Sequence, residues 1–299
     1  MSNVFAVAGA TGNLGGRIVK ALRGRGAEVR AVVRPTTEAS RRQAIEETGA
    51  EVIPVDFNDA AAVRRSLADS FCVISALQGL SEVIINTQSQ LLAGAIAAKV
   101  PRFIPSDYAA DFTKLDEGEN RNFDLRRAFH RILDAAPIAS TSILNGAFME
   151  LLTYGMPLFD RKGSKVSYYG SPDQTLDFTT MDDSATFTAE AAMDIEAPRV
   201  LRIAGDQITA RQLADLGQEL TGTAFELVRL GGLDDLAAYI QRERAAHPET
   251  ETEEFPRWQQ AQYMHNMQSG RATLTPLDND RYPDLRWTTV RELLSPARQ

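Results

Sequence analysis

Gly9-Ala10-Thr11-Gly12-Asn13-Leu14-Gly15-Gly16 (residues 9–16) joins an apolar run, Val4–Ala8, to Leu14–Arg23, where Leu14, Ile18, Ala21 and Leu22 recur at helical spacing. Glycines at 9, 12 and 15 allow a tight turn, close approach of the backbone to a pyrophosphate, and close packing of helix on strand. The start of the helix then offers unpaired N–H groups and a partial positive charge to the phosphates. A chance glycine turn is the plain alternative, but the position directly after the first strand of a βα series argues against it. No Gly-Lys-Ser/Thr follows, so a Walker-type phosphate loop is excluded. The turn reads as a dinucleotide site built from Gly9, Thr11, Gly12, Asn13, Leu14 and Gly15.

Outward from the turn, short β-rich runs alternate with helical ones as far as residue 145, the pattern of βαβ units on a parallel sheet. Strands are expected at Val4–Ala8, Glu28–Val33, Glu51–Val55, Phe71–Ala76, Arg102–Ile104 and Ala139–Leu144. Helices are expected at Leu14–Arg23, Ser40–Glu47, Ala60–Ala68, Glu82–Ala98 and Asn122–Leu133. The rhythm changes after Gly146. Residues 147–181 are short, aromatic and turn-rich. Beyond them come a helix at Asp183–Met193, a returning strand at Val200–Ile203, helices at Thr209–Leu220 and Leu233–Ala245, a strand at Phe225–Leu230, and a helix at Trp258–Met267. His247–Glu254 carries four acids and reads as a solvated loop.

Composition narrows the function. Of 299 residues, 43% are hydrophobic and 24% charged, and 40 acids against 32 basic residues give a net charge of −8. This balance argues against nucleic acid or an anionic membrane surface as a partner. Cys72 is the only cysteine, and His130, His247 and His265 have no ligand spacing, so no metal is expected. No run approaches the roughly 20 apolar residues of a membrane helix, and the N-terminal run lacks the charged flank of a signal peptide. A cytoplasmic monomer or homodimer is the expectation.

The end of the second strand selects the nucleotide. An acid there would bind the adenosine ribose of NAD. Here Ala31-Val32-Val33 runs into Arg34, followed by Thr36, Thr37, Arg41 and Arg42. A guanidinium pairs bidentately with a 2′-phosphate, so the expected cofactor is NADP(H).

With these residues in view, the chain resembles the NmrA-like, isoflavone-reductase-like branch of the atypical short-chain dehydrogenases. The resemblance rests on Gly9–Gly15, Arg34, Val55-Asp56-Phe57-Asn58-Asp59, Phe103-Ile104-Pro105-Ser106-Asp107-Tyr108, Asn145-Gly146-Ala147-Phe148 and the closing stretch from Tyr282 to Val290, and runs from about residue 4 to about 294. It implies an α/β fold: a doubly wound parallel sheet (Rossmann, NADP-binding) over residues 1–146, rejoined by about 176–204. A smaller α+β substrate domain would comprise 147–175 and 205–299. It also implies that Asp56 and Phe57 contact adenine and that Ser75, Ala76, Leu77 and Gln78 follow the nicotinamide-side ribose. Asn145 and Phe148 would flank nicotinamide and substrate, with Tyr108, Phe148, Met149 and Tyr154 among the substrate contacts.

One departure matters. Reductases of this branch carry a lysine in a Phe-x-x-Lys segment, and here that segment is Phe123-Asp124-Leu125-Arg126. A guanidinium can hold a substrate oxygen but hardly gives up a proton. Arg126 is therefore expected as an electrostatic catalyst, with Tyr108, Asp107 or His130 as the proton source and Lys114 in a nearby loop. Tyr108 could equally be a cleft-wall tyrosine, and a solvent-facing role for His130 is the stronger reading. Other candidates for an apolar pocket are Met156, Tyr168, Tyr169, Trp258, Tyr263 and Met267, most of them expected to be core. Two functions stay open: NADPH-dependent reduction of a small aromatic, phenylpropanoid-like or quinone-like substrate at a carbonyl or conjugated double bond, or nucleotide sensing by a regulator without turnover. A serine hydrolase fails for want of a Gly-x-Ser-x-Gly elbow.

Overall fold

The computed structural model describes residues 3–154 and 157–295. Six strands form one parallel sheet: β1 (Val4–Ala8), β2 (Glu28–Val33), β3 (Glu51–Pro54), β4 (Cys72–Ser75), β5 (Arg102–Ile104) and β6 (Ala139–Ser140). Their order is β3-β2-β1-β4-β5-β6, which reverses direction between β1 and β4. Side chains alternate across the sheet as a strand requires. Phe5 and Val7 enter one core with Ile18, Val19, Leu22 and Phe187, while Ala6 and Ala8 enter the other with Val63, Leu91, Phe103 and Phe129.

Helices cover both faces. On the first lie α1 (Asn13–Gly24), α2 (Ala39–Glu46) and a later helix described below; on the second lie α3 (Ala60–Ser66), α4 (Gln88–Ala97) and α5 (Arg121–Asp134). This is the doubly wound, Rossmann-type architecture.

Two elements differ from the sequence reading. Residues 82–98 do not form one α-helix, because Glu82–Thr87 is a wider π-turn before α4. Within it the Thr87 hydroxyl donates to the Glu82 carbonyl at 3.0 Å. The run at 139–144 is two strands, β6 and β7 (Ser142–Leu144), broken at Thr141. The Arg102 guanidinium donates to the Thr141 hydroxyl at 2.7 Å there, and the chain changes partners from β5 to a strand further on.

After β7 come β8 (Ala147–Phe148), the short helix α6 (Leu151–Tyr154), β9 (Phe159–Asp160), β10 (Lys165–Tyr169) and β11 (Thr175–Thr179). Then α7 (Met181–Met193) packs on α1, and β12 (Val200–Arg202) pairs parallel with β7. The chain continues through β13 (Asp206–Thr209), α8 (Ala210–Thr221), β14 (Glu226–Gly231), α9 (Leu233–Ala246), α10 (Arg257–Gln268) and α11 (Val290–Leu294). Two small sheets, β14-β10-β9 and β13-β11-β8, share a separate core around Phe178, Leu213 and Val290.

The segment expected as a solvated loop is a 3₁₀ turn, Pro248–Thr252, with ordered flanks. The Arg121 guanidinium ties it down, donating to the carbonyls of Glu251 (2.9 Å), Glu253 (2.8 Å) and Glu254 (3.0 Å). Among the described residues no helix is long and apolar enough to cross a membrane, and no group of His, Cys, Asp and Glu is placed to hold a metal ion.

Candidate active site

A cleft of about 1170 Å³ lies along the carboxyl ends of β1–β5. This is where open α/β sheets bind ligands, and the volume exceeds the roughly 300–1,000 Å³ of a single small-molecule site. There is room for a dinucleotide and a second molecule.

At one end is the glycine turn. Gly9 has φ +82°, and a Cβ there would lie 2.4 Å from the Ala76 carbonyl oxygen. A Cβ on Gly15 would lie 2.1 Å from the Gly9 carbonyl oxygen, so Gly15 serves the packing of α1 against the turn and is not on the cleft wall. Gly12 closes the turn, its N–H donating to the Gly9 carbonyl at 2.9 Å. It also occupies the N-cap of α1, where no side chain caps the helix. Unpaired backbone donors therefore face the cleft beside Thr11, Asn13 and Leu14.

Next along the wall stands Arg34, exposed, its guanidinium without a hydrogen-bond or ion-pair partner among the described residues. Thr36, Thr37 and Arg41 line the same end, Arg41 lying 3.4 Å from Glu38. Asp56 and Phe57 follow at the end of β3, and Phe57 both packs in the sheet's core and faces the cleft. Ala76, Leu77 and Gln78 line the centre, where the Gln78 amide donates to the Glu254 carboxylate at 2.9 Å.

The far end is apolar, and α10 supplies one wall. Gln260, Tyr263, Met264 and Met267 fall at i, i+3, i+4 and i+7, so one helix face points into the cleft. Phe123, Phe148 and Phe255 line it too, and Tyr154 stands 68% exposed at the rim. The sequence reading named Tyr263 and Met267 only within a general aromatic and methionine set, and missed Phe123, Phe255, Gln260 and Met264. The helical spacing was the available signal. Trp258 is core, its ring between the Arg121 and Arg244 guanidinium groups at 4.6 and 4.4 Å. Met156 lies outside the described residues.

Four expectations are corrected. Met149 is fully buried in the core of the small sheets and does not touch the cleft. Asn145 is also fully buried, pinning strand ends: its amide donates to Ser184 Oγ at 3.1 Å and its carbonyl accepts from Thr179 Oγ1 at 2.7 Å. Lys114 does not reach in, because its ammonium donates to the Thr273 carbonyl at 2.7 Å and lies 3.4 Å from Asp111. Tyr108 contributes to the wall, but its hydroxyl is buried, with no well-formed hydrogen bond among the described residues. Burial, with the Asp107 and Cys72 groups adding to it, pushes that phenol far above its ordinary value despite the nearby Thr188 hydroxyl. Thr188 spends its own proton on the Ser184 carbonyl at 2.6 Å.

Arg126 does line the cleft. Its Nε donates to the Asp107 carbonyl at 3.3 Å and its Nη1 to the Asn122 carbonyl at 3.0 Å, leaving further N–H donors of the guanidinium fork unspent. Behind it sits a buried pair. His130 Nε2 lies 2.6 Å from Asp107 Oδ2, with Ser142 Oγ at 3.2 Å and the Phe112 ring 5.1 Å from the imidazole. His130 is thus neither solvent-facing nor on the cleft wall; it fixes the loop that holds Arg126.

Burial alone would raise the Asp107 carboxyl, but the His130 charge and hydrogen bond, Ser142 and Arg126 outweigh it and hold the group below the usual carboxylate range. A depressed carboxyl stabilises the fold above its unfolded value of about 3.9, and that stabilisation fades as pH falls through the folded value. Asp107→Asn is therefore expected to cost about 1.5–3 kcal/mol at pH 7, the scale of a charge-assisted hydrogen bond. Denaturant unfolding of both proteins checks this: the gap between them should narrow below about pH 4.

The NmrA-like family model matches residues 1–285. The chain belongs to the NmrA-like family. Among curated proteins, this NmrA-like chain is 28% identical over 247 residues to bifunctional pinoresinol-lariciresinol reductase 1 of Linum usitatissimum, spanning 77% of this chain and 79% of that one. It is 28% identical over 258 residues to pinoresinol reductase 2 of Arabidopsis thaliana, spanning 79% of this chain and 80% of that one. Among solved structures, AtPrR2 with NADP+ and (+)pinoresinol has a TM-score of 0.83 at 24% identity over 98% of both chains. Leucoanthocyanidin reductase from Vitis vinifera with NADPH has a TM-score of 0.81 at 19% identity over 97% of both chains. The two structural likenesses concern the fold.

Proposed function

We propose that this protein is an NADPH-dependent reductase of a small aromatic, phenylpropanoid-like or quinone-like substrate, acting at a carbonyl or conjugated double bond. The observation that carries this reading is a single cleft joining the glycine turn and Arg34 at one end to Arg126 and an aromatic wall at the other. Curated relatives whose names are those of pinoresinol reductases support it. The residues fit the nucleotide: Gly12 leaves α1 uncapped toward the cleft, and Arg34 is an uncommitted cation at the end of β2.

When bound, NADPH supplies the hydride. The chain's own residues bind and orient the reactants. The backbone at Gly9–Leu14 holds the pyrophosphate, and Arg34 pairs with the 2′-phosphate with Thr36, Thr37 and Arg41 beside it. Asp56 and Phe57 face adenine, and Ala76–Gln78 the nicotinamide-side ribose. Arg126, at the position where the family resemblance implies a lysine, steadies negative charge developing on the acceptor oxygen. In this reading residues 1–146 with α7 and β12 form the nucleotide side, and 147–175 and 205–299 the substrate side.

Arg34→Ala is expected to weaken NADPH binding by about 1–3 kcal/mol and to leave NADH binding nearly unchanged. Calorimetric titration of both nucleotides tests it, and equal affinities in the wild type would overturn NADPH preference. Tight NADPH binding without oxidation across aromatic enones, ketones and quinones would point instead to a nucleotide sensor.

A further inference from the structure

We propose that the Tyr263 hydroxyl donates a hydrogen bond to an acceptor oxygen on the substrate, so that the cleft selects oxygen-bearing aromatics over ring-matched hydrocarbons. This deepens, and rests on, the reductase reading above.

The direction of the hydrogen bonds around Asn122 carries the argument. Asn122 Oδ1 accepts from Arg121 Nε at 3.0 Å, and Asn122 Nδ2 donates to the Glu254 carbonyl at 3.0 Å. A guanidinium only donates and a carbonyl only accepts, so these two partners fix which end of the amide is nitrogen. Asn122 Nδ2 lies 3.1 Å from Tyr263 Oη, and the phenol must accept this bond. Its own proton is then unspent, because Asn122 is the only hydrogen-bond partner of that hydroxyl among the described residues.

The neighbouring polar groups of the cleft are already committed. Ser106 Oγ donates to the Leu77 carbonyl at 2.6 Å and Thr87 Oγ1 to the Glu82 carbonyl at 3.0 Å, and Gln260 Nε2 spends one of its two N–H groups on the Phe255 carbonyl at 2.8 Å. The Tyr108 hydroxyl is buried. Tyr263 and Arg126 stand as donors on a largely apolar wall, and both are anchored on Asn122, one by its side chain and one by its carbonyl. The Tyr263 ring is held edge-on by Phe123, with centroids 5.1 Å apart. A donor fixed this way is a specificity device. A half-buried donor that a ligand covers and leaves unpaired penalises a ligand lacking the matching acceptor.

The test is direct binding of two probes of similar shape, 2-acetylnaphthalene and 2-isopropylnaphthalene, with and without NADP+. Wild type should bind the ketone more tightly. Tyr263→Phe, which keeps the ring against Phe123, should weaken ketone binding about tenfold and leave the hydrocarbon unchanged. Asn122→Asp offers a second reading without touching Tyr263. A carboxylate at 122 would accept the phenol proton, turning the donor from the cleft, and should erase the same preference. Unchanged ketone affinity in Tyr263→Phe, an equal loss for both probes, or no measurable ketone binding to wild type would overturn the assignment. Failure of the wild type to bind NADP+ or NADPH would instead sink the reductase reading, with Tyr263 still judged by the probes alone.

Discussion

Replacing Arg126 with methionine is expected to lower kcat/KM by roughly 10²–10³-fold, the scale seen when one preorganised donor to a developing oxyanion is removed. Methionine nearly preserves the reach and apolar bulk of the side chain, so the measurement isolates the charge and the N–H groups. The structure makes the guanidinium suited to this role. The Asp107 and Asn122 carbonyls hold it from behind, and the His130–Asp107 pair holds the loop that presents the first of these. A cation fixed before the reaction need not reorganise as charge develops, which is what makes such stabilisation strong in a low-dielectric site. NADPH affinity should barely change, because Arg126 stands apart from the glycine turn and Arg34. Arg126→Lys should keep activity and can acquire a basic limb in its pH–rate profile, since an ammonium titrates where a guanidinium does not. Steady-state kinetics with an aromatic ketone, paired with an NADPH titration, separate the two effects. Full activity in Arg126→Met would remove the residue from the mechanism.

The nucleotide half was legible because its signals are local. Strands β1 and β4 are buried on both faces and read as continuous apolar runs, β2 ends in one, and the glycine turn follows β1 directly. Glycine at 9 and 15 is dictated by atoms close in sequence or in the next strand. The second half obeyed weaker rules. β9 has only two residues, and β10 reads Lys-Val-Ser-Tyr-Tyr with one buried position, too short and polar to announce a strand.

Side-chain direction was the larger loss. Position in the chain put Tyr108 at the mouth of the sheet and His130 one turn beyond Arg126, and the family resemblance put Asn145 beside the nicotinamide. Whether each faces the cleft depends on partners far along the chain. Ser184 and Thr188 of α7 lie behind Asn145 and Tyr108, and Asp107 claims the imidazole of His130. The α10 wall failed for the opposite reason. Its spacing was visible, but only packing against α9 and the Arg121-bound segment shows which face meets the cleft.

Gly12→Val is expected to abolish measurable NADPH binding, a loss of at least about 100-fold, while the protein stays folded. Gly12 has φ −81° and ψ 170°, extended backbone that a β-branched residue adopts readily. A Cβ there would meet only the Gly9 carbonyl oxygen, at 3.2 Å, a tight contact relieved by a shift of a few tenths of an ångström. The fold therefore tolerates the side chain. The two methyl groups, however, would stand at the uncapped start of α1, over the N–H groups that the phosphates need. Gly15→Ala should behave in the opposite sense. An alanine in a helix gains about 1 kcal/mol of intrinsic propensity over glycine. Here its Cβ would fall 2.1 Å from the Gly9 carbonyl oxygen, a backbone atom that no side-chain rotation can move aside. Overpacking of this kind costs about 1–3 kcal/mol or more, so the clash outweighs the propensity and the variant should be less stable than wild type. Denaturant unfolding and NADPH titration of the two variants separate the roles. If Gly12→Val binds NADPH normally, the phosphates do not lie on this turn; if Gly15→Ala is more stable than wild type, the helix does not pack on Gly9 as described.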